Sequence, residues 1–451
     1  MTSQTGNQNA QSAPKTLSSL KEAVLYAIGL HKNRQLDAAE AMYRRILEIA
    51  PKQPDALHYL GMIRFQRGRT EEAVSLLLQA IEQVPDCADF YNDIGFIFSS
   101  TGNVDAAIES FSRAIERTPE RADLHNNLGT VLQIRGDVDN AESAFRRAIE
   151  LDAGHFRAYN NLGLLCASRN DAQAAEQHYL ASINLRPLHP DGYRLLGSAY
   201  CTSGQLEQAA EVFRTWMARQ PDNPMARHYY SACSGVAVPE RATDDYIEQS
   251  FDQYASSFEE QLKVRLCYRG DLIVAALLKY LPAPAKQFDI LDAGCGTGLC
   301  GPLVAAHAAR LVGVDLSAGM LLKAEGKECY DQLVKMELTA YLRSPELASS
   351  WDVILLADTL CYFGPLQGVL SAAHGALRPG GLLVFSVEEG GERALPAGHV
   401  LNHHGRYAHD PGYVCTCLEN AGFGILDVES ITLRAEWGNP VPGLIVVGRA
   451  S

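Results

Sequence analysis

At 451 residues the chain is long enough for two or three domains, and with 47% hydrophobic and 20% charged residues its composition is globular. A formal net charge of −14 argues against nucleic acid as partner, since phosphate binding needs a basic face. Eleven scattered cysteines suit a reducing compartment, and no segment reaches the roughly 18 apolar residues of a membrane span, so the expected setting is the cytoplasm.

Residues 1–16 are polar and lack an apolar stretch, which predicts a disordered tail and not a signal peptide. Glycine then recurs at Gly61, Gly95, Gly129, Gly163 and Gly197, each 34 residues after the last. Alanine keeps the same register at Ala39, Ala73, Ala107, Ala141, Ala175 and Ala209. A bulky apolar residue follows each, at Tyr43, Leu77, Phe111, Phe145, Tyr179 and Phe213. Small residues let two helices of a hairpin approach, and the bulky one fills the gap to the neighbouring unit. This pattern resembles the tetratricopeptide repeat. It predicts an α-solenoid of six repeats over 17–235, ending in a capping helix from Pro224 to Gly235. Proline closes most units, at Pro51, Pro85, Pro119, Pro187 and Pro221, while Ala153 replaces the fourth proline, Ala27 the first glycine, and Trp216 stands where a small residue is usual.

The resemblance implies a concave groove for a protein or an extended peptide. Asn92, Asn126 and Asn160 share one register position, and Asp93, Asn127 and Asn161 share the next. Their amides suit bonding to a peptide backbone, and equally suit a merely solvated polar face.

Residues 236–245 read as a linker around Pro239. From Tyr246 to Leu262, Ile247, Phe251, Tyr254, Phe258 and Leu262 recur at helical spacing. This helix either covers a ligand pocket or packs on a sheet edge. Arg269, after Tyr268, reads as a surface arginine, with pairing to a ligand carboxylate as the sharper alternative.

The most informative stretch is Phe288 to Gly298, an apolar run ending in Asp292 and then Gly294, Gly296 and Gly298. Glycine permits positive φ and close approach of a ligand to backbone. The next apolar run, Leu311 to Leu316, carries Asp315 near its end, where an acid can bind a ribose diol. The spacing is Asp-x-Gly-x-Gly-x-Gly and not the Gly-x-Gly-x-x-Gly of dinucleotide sites. It resembles motif I of class I S-adenosylmethionine methyltransferases, and the likeness continues through Gly313 to Leu321 and Leu377 to Leu382.

Strands are predicted near 288–293, 311–316, 332–336, 351–357, 381–387, 424–434 and 442–449, with helices between all but the last two. The expectation for 246–451 is a doubly wound α/β domain, Rossmann-like, closing in an antiparallel hairpin. The resemblance implies S-adenosylmethionine as cofactor, held by Asp292, Gly294, Cys295, Gly296, Asp315, Leu316, Met320, Glu337, Leu338 and Asp358. Glu337 stands where the family usually has an aspartate near the adenine amine. The stretch from Ala357 to Phe363 lacks the Asn/Asp-Pro-Pro-aromatic signature of amide and adenine N-methyltransferases.

Glu388 to Asp410 is long and irregular, with His399, His403, His404 and His409. It reads as a lid over the acceptor, with His409 and Tyr407 as candidate catalytic residues. Cys415 and Cys417 lie two apart on a predicted helix and face different ways, so no metal site is expected. Gly405 to His409, Leu433 to Glu436 and Pro440 to Leu444 resemble predicted methyltransferases with N-terminal tetratricopeptide repeats. That group implies methyl transfer without defining an acceptor. The competing reading is a repeat scaffold whose methyltransferase fold is only structural. The intact Asp292, Gly294, Gly296 and Asp315 count against it. Oligomeric state is not legible.

Overall fold

The computed structural model describes residues 19–255, 269–390, 395–436 and 439–451. The predicted tail at 1–16, together with Phe258, Leu262, Tyr268, Trp437 and Gly438, falls outside them.

Twelve helices of 13 or 14 residues, from Leu20–Lys32 to Leu206–Arg219, form six consecutive hairpins. The glycine register has a steric cause. A Cβ at Gly129 would stand 2.6 Å from Phe145, at Gly163 2.4 Å from Tyr179, and at Gly197 2.2 Å from Phe213. Any side chain there would force the two helices apart. Trp216 is fully buried and stacks on Tyr193 with ring centroids 5.4 Å apart, so the large residue is absorbed by the last repeat's own core. The capping helix runs Pro224–Ser234: Asn223 Oδ1 accepts from Ala226 N at 3.1 Å, proline takes the first turn, and Gly235 closes it at φ 69°.

The register-matched asparagines bond to one another. Asn127 donates to Asn92 at 2.9 Å, and Asn161 donates to Asn126 at 2.9 Å. Asn126 and Asn160 are buried. These amides form a ladder between neighbouring repeats, which commits much of their capacity internally.

The C-terminal part is one nine-stranded sheet. Its main path is β3(Gln332–Lys335), β2(Ala308–Asp315), β1(Phe288–Ala293), β4(Trp351–Leu356), β5(Leu377–Glu389), β7(Tyr407–His409), β6(His399–Leu401). Strands β1 to β5 are parallel. The terminal hairpin, β8(Phe423–Glu436) with β9(Asn439–Ala450), joins through β9, antiparallel to β5. Adjacent residues Ile290 and Leu291, Val353 and Ile354, and Val384 and Phe385 are all fully buried, on opposite faces. Cover on both faces explains why these strands read as continuous apolar runs.

The segment read as an irregular lid contains two strands. β6 pairs antiparallel with β7, and β7 runs parallel to the end of β5. Three-residue strands are too short to show alternation, so the sequence carried no signal for them.

The linker is also more ordered than its composition suggests. Ala242 N donates to Tyr362 O at 2.8 Å, Gly364 N donates to Glu240 O at 2.8 Å, and Tyr407 Oη donates to Pro239 O. His228 of the capping helix stacks on Tyr246 at 3.9 Å and bonds Gly405 O at 2.8 Å. A second contact comes from far up the array: Lys323 Nζ donates to Phe65 O at 3.0 Å, and Arg69 pairs with Glu328 at 2.7 Å. The solenoid therefore touches the sheet domain at its capping helix and its second hairpin.

Candidate active site

β1 delivers Asp292 and then turns through Gly294, Gly296 and Gly298, all at positive φ (78°, 54° and 79°). A Cβ at Gly296 would meet no protein atom within 4 Å, so the turn opens onto space. Asp315, at the end of β2, accepts from Gly296 N at 2.9 Å and Ser317 N at 2.8 Å. These bonds fix the turn against the second strand. Burial raises the Asp315 pKa, with the backbone donors opposing.

Asp292 is 1% exposed. Its Oδ2 accepts from Tyr330 Oη at 2.6 Å, while Oδ1 is buried with no partner. Burial pushes its pKa up to about 7; the Tyr330 bond pulls it down and the Asp315 charge adds to the rise. A buried, half-satisfied carboxylate under a glycine turn is a site prepared for a cation.

One cavity gathers Asp292, Gly294, Cys295, Gly296, Asp315, Leu316, Glu337, Leu338 and Asp358. Ile247 and Phe251 from the helix Asp244–Tyr254 also line it. That favours the pocket-covering reading of this helix over simple edge packing. Asp252 of the same helix accepts from Ser317 Oγ at 2.5 Å and Gly319 N at 2.9 Å, which ties the cover to the residues after Asp315.

Beyond β4 the wall is formed by Asp358, Tyr362, Phe363 and Arg406. Asp358 has φ 52°, a left-handed conformation unusual for a residue with a side chain. Its carboxylate is 3.3 Å from Nη1 of the fully buried Arg434, whose Nη2 donates to Glu388.

Four predicted site residues sit differently from expectation. Met320 is fully buried and does not line the cavity. It packs inside the helix Ala318–Glu325, where the motif's apolar register serves the core. Glu337 lines the cavity, yet its two oxygens accept from Thr339 N at 2.9 Å and Ala340 N at 2.7 Å, so it serves as a helix cap. His409 is fully buried, with Nε2 within 2.9 Å of Phe363 O and 3.0 Å of Gly364 O. Tyr407 is buried and spends its hydroxyl on Pro239 O. Neither faces the cavity, and both stitch β7 to the segment after β4 and to the linker. Their placement is that of positioning residues. Arg269 bonds Asp271 at 3.2 Å and stands half exposed outside the cavity, as a surface arginine would.

Sequence reasoning missed Tyr330, Tyr362, Arg241 and Arg406. Tyr330 and Arg241 had no motif around them, and Tyr362 lay in the Ala357–Phe363 stretch, which was read only for the signature it lacks. Arg406 lay inside the Gly405–His409 cluster, where the histidine drew the attention.

A methyltransferase domain model matches residues 291–383, and tetratricopeptide repeat models match 30–92, 88–121, 120–187 and 193–225. Human methyltransferase-like protein 27 is 32% identical over 138 residues, which is 30% of this chain and 55% of that protein. The biotin biosynthesis bifunctional protein BioHC of Saccharophagus degradans is 26% identical over 141 residues, 31% of this chain and 24% of that one. The chain thus spans only a quarter to about half of these relatives. A solved S-adenosylmethionine-dependent methyltransferase from Mesorhizobium loti is 24% identical, covering 39% of this chain and 96% of that one, with a TM-score of 0.32.

The fold and the matched model together define a class I methyltransferase-like domain joined to an α-solenoid. The chain carries tetratricopeptide repeats and a methyltransferase domain, and that domain implies S-adenosylmethionine as the cofactor. The residues present fit that donor: an orphaned carboxylate oxygen at Asp292, a turn open at Gly296, and Asp315 beside it.

Proposed function

We propose that the protein transfers the methyl group of S-adenosylmethionine to an acceptor brought to the sheet edge by the repeat array, in the reducing cytoplasm. The observation that carries this reading is the convergence of Asp292, the glycine turn, Asp315 and Asp358 on one covered cavity. It lies at the carboxyl edge of parallel strands, where ligands of such sheets bind.

When bound, the donor supplies a methyl group that is already electrophilic. The chain's task is then positioning and exclusion of water. Asp292 offers its unpartnered oxygen to positive charge, and Asp315 offers a carboxylate edge to hydroxyl groups. Ile247, Phe251 and Phe363 supply an apolar cover.

Support for recruitment by the array is architectural. A solenoid presents a long surface suited to a protein or extended peptide, and here it touches the sheet domain at its capping helix and its second hairpin. The full chain incubated with tritiated S-adenosylmethionine and cell extract tests the reading. Label entering protein supports it. Label confined to small molecules removes recruitment of a protein acceptor, and a chain that neither binds donor nor labels anything removes the enzymatic reading.

A further inference from the structure

The cavity has a second half, beyond β4, whose chemistry the donor does not explain. Phe251, whose ring lies 5.7 Å from that of Tyr362, and Phe363 make this wall apolar, and Arg406 lines it too. Arg406 lies in the turn between β6 and β7 and is held from behind. Its Nε donates to Tyr362 Oη at 3.3 Å, with Cζ 5.9 Å from that ring's centroid. Nη1 is buried without a hydrogen bond, 3.9 Å from Glu388 Oε1. Nη2 makes no hydrogen bond to any described residue.

Glu388 is already engaged by Arg434 and stands 3.6 Å from His404, so it does not neutralise Arg406 alone. Arg241, the other guanidinium on the described wall, is taken by Asp244 at 2.7 Å. A guanidinium offers five donors in a planar fork that matches a carboxylate. Leaving most of them unfilled beside an apolar wall carries a desolvation penalty that an anionic ligand would remove.

Three carboxylates that line the cavity are already engaged, Glu337 by Thr339 N and Ala340 N, Asp315 by Gly296 N and Ser317 N, and Asp358 by Arg434. No histidine or lysine lines it among the described residues. Burial pushes the Tyr362 hydroxyl and the Cys295 and Cys300 thiols up. Asp292 lies on the donor side, under the turn. A hydroxyl or ammonium acceptor would need a base, whereas a carboxylate needs none.

We propose that the methyl acceptor is a carboxylate on an apolar body, docked by Arg406. This rests on the reading of the cavity as a methyl-donor site. In the step, a carboxylate lone pair forms the O–CH3 bond as the S–CH3 bond breaks. The sulfonium leaves as a neutral thioether, a neutral ester forms, and no proton moves.

The test uses the full chain saturated with S-adenosylhomocysteine and titrated calorimetrically with octanoate, octanol and octylamine. Octanoate should bind roughly ten- to a hundredfold more tightly than octanol. Arg406→Gln should erase that preference and Arg406→Lys keep part of it, with S-adenosylhomocysteine affinity unchanged in both. Octanoate binding no better than octanol, or octylamine binding best, overturns the proposal. An equal loss of S-adenosylhomocysteine affinity in Arg406→Gln also overturns it, because Arg406 would then hold the donor's own carboxylate. A wild-type chain that does not bind S-adenosylhomocysteine overturns the donor reading as well, which separates the two failures. With tritiated S-adenosylmethionine and cell extract, the label should leave as volatile methanol on mild alkali, as a methyl ester does. An alkali-stable label contradicts a carboxylate acceptor.

Discussion

Tyr330 Oη donates to Asp292 Oδ2 at 2.6 Å, and this is the only hydrogen bond that the Asp292 side chain makes among the described residues. The pair lies beneath the glycine turn, where burial holds the Asp292 pKa near 7. A cation favours the charged carboxylate. Below pH 7 the empty site carries a proton that binding must expel; above it, none. Affinity for S-adenosylmethionine should therefore fall as pH drops through about 7, with about one proton released per ligand at pH 6. Calorimetry in buffers of different ionisation enthalpy reads this directly. Asp292→Asn should flatten the dependence, and pH-independent affinity in the wild type would contradict the assignment.

The contact between the second hairpin and the sheet domain can be broken without backbone strain. Gly326 has φ −66°, ordinary for any residue, yet a Cβ there would stand 1.7 Å from Arg67 O. Gly326→Leu should push the repeat turn away while leaving S-adenosylmethionine affinity unchanged. Small-angle scattering should show a larger radius of gyration. An unaltered profile would mean that this contact does not hold the second hairpin against the sheet domain.

His409→Ala separates positioning from catalysis. The imidazole is buried against two backbone carbonyls, and burial pushes its pKa down to about 4. Its loss should cost about 1–3 kcal/mol of stability by leaving acceptors unpaired. The folded chain resists protonating a group that the unfolded chain protonates near 6.5. Its contribution is therefore complete above about pH 6.5 and is lost as pH falls towards about 4. Thermal denaturation against pH should show wild type and variant converging across this window. If the variant is as stable as wild type but turns over no substrate, His409 acts in chemistry after all.

Gly294 combines a positive φ of 78° with a tight neighbour: a Cβ would stand 2.4 Å from Thr359 Oγ1, itself bonded to Ala293 O at 3.1 Å. Gly294→Ala should cost about 1–3 kcal/mol and weaken donor binding by displacing the turn. A variant with wild-type melting temperature and affinity would show that the turn tolerates a side chain.

The repeats and the donor edge were legible because each is written in local spacing. A 34-residue glycine period reports helix contacts, and Asp292 with alternate glycines reports a turn. The wall beyond β4 was legible only as stretches, Ala357 to Phe363 and Glu388 to Asp410, and not as particular side chains. It is assembled from Tyr362 after β4, Glu388 at the end of β5, Arg406 between two three-residue strands and Arg434 on β8, joined by pairing across the sheet and by no common motif. Histidine type suggested His409 as a base, and burial against Phe363 and Gly364 carbonyls put it to structural use.

The central claim is that Asp315 and the glycine turn hold S-adenosylmethionine, and calorimetry of the full chain tests it most directly. Wild type should bind S-adenosylmethionine. Asp315→Ala, checked for an intact fold by circular dichroism, should lose about 1.5–3 kcal/mol, roughly ten- to a hundredfold in affinity. No binding by wild type, or equal affinity in the two proteins, would contradict the account.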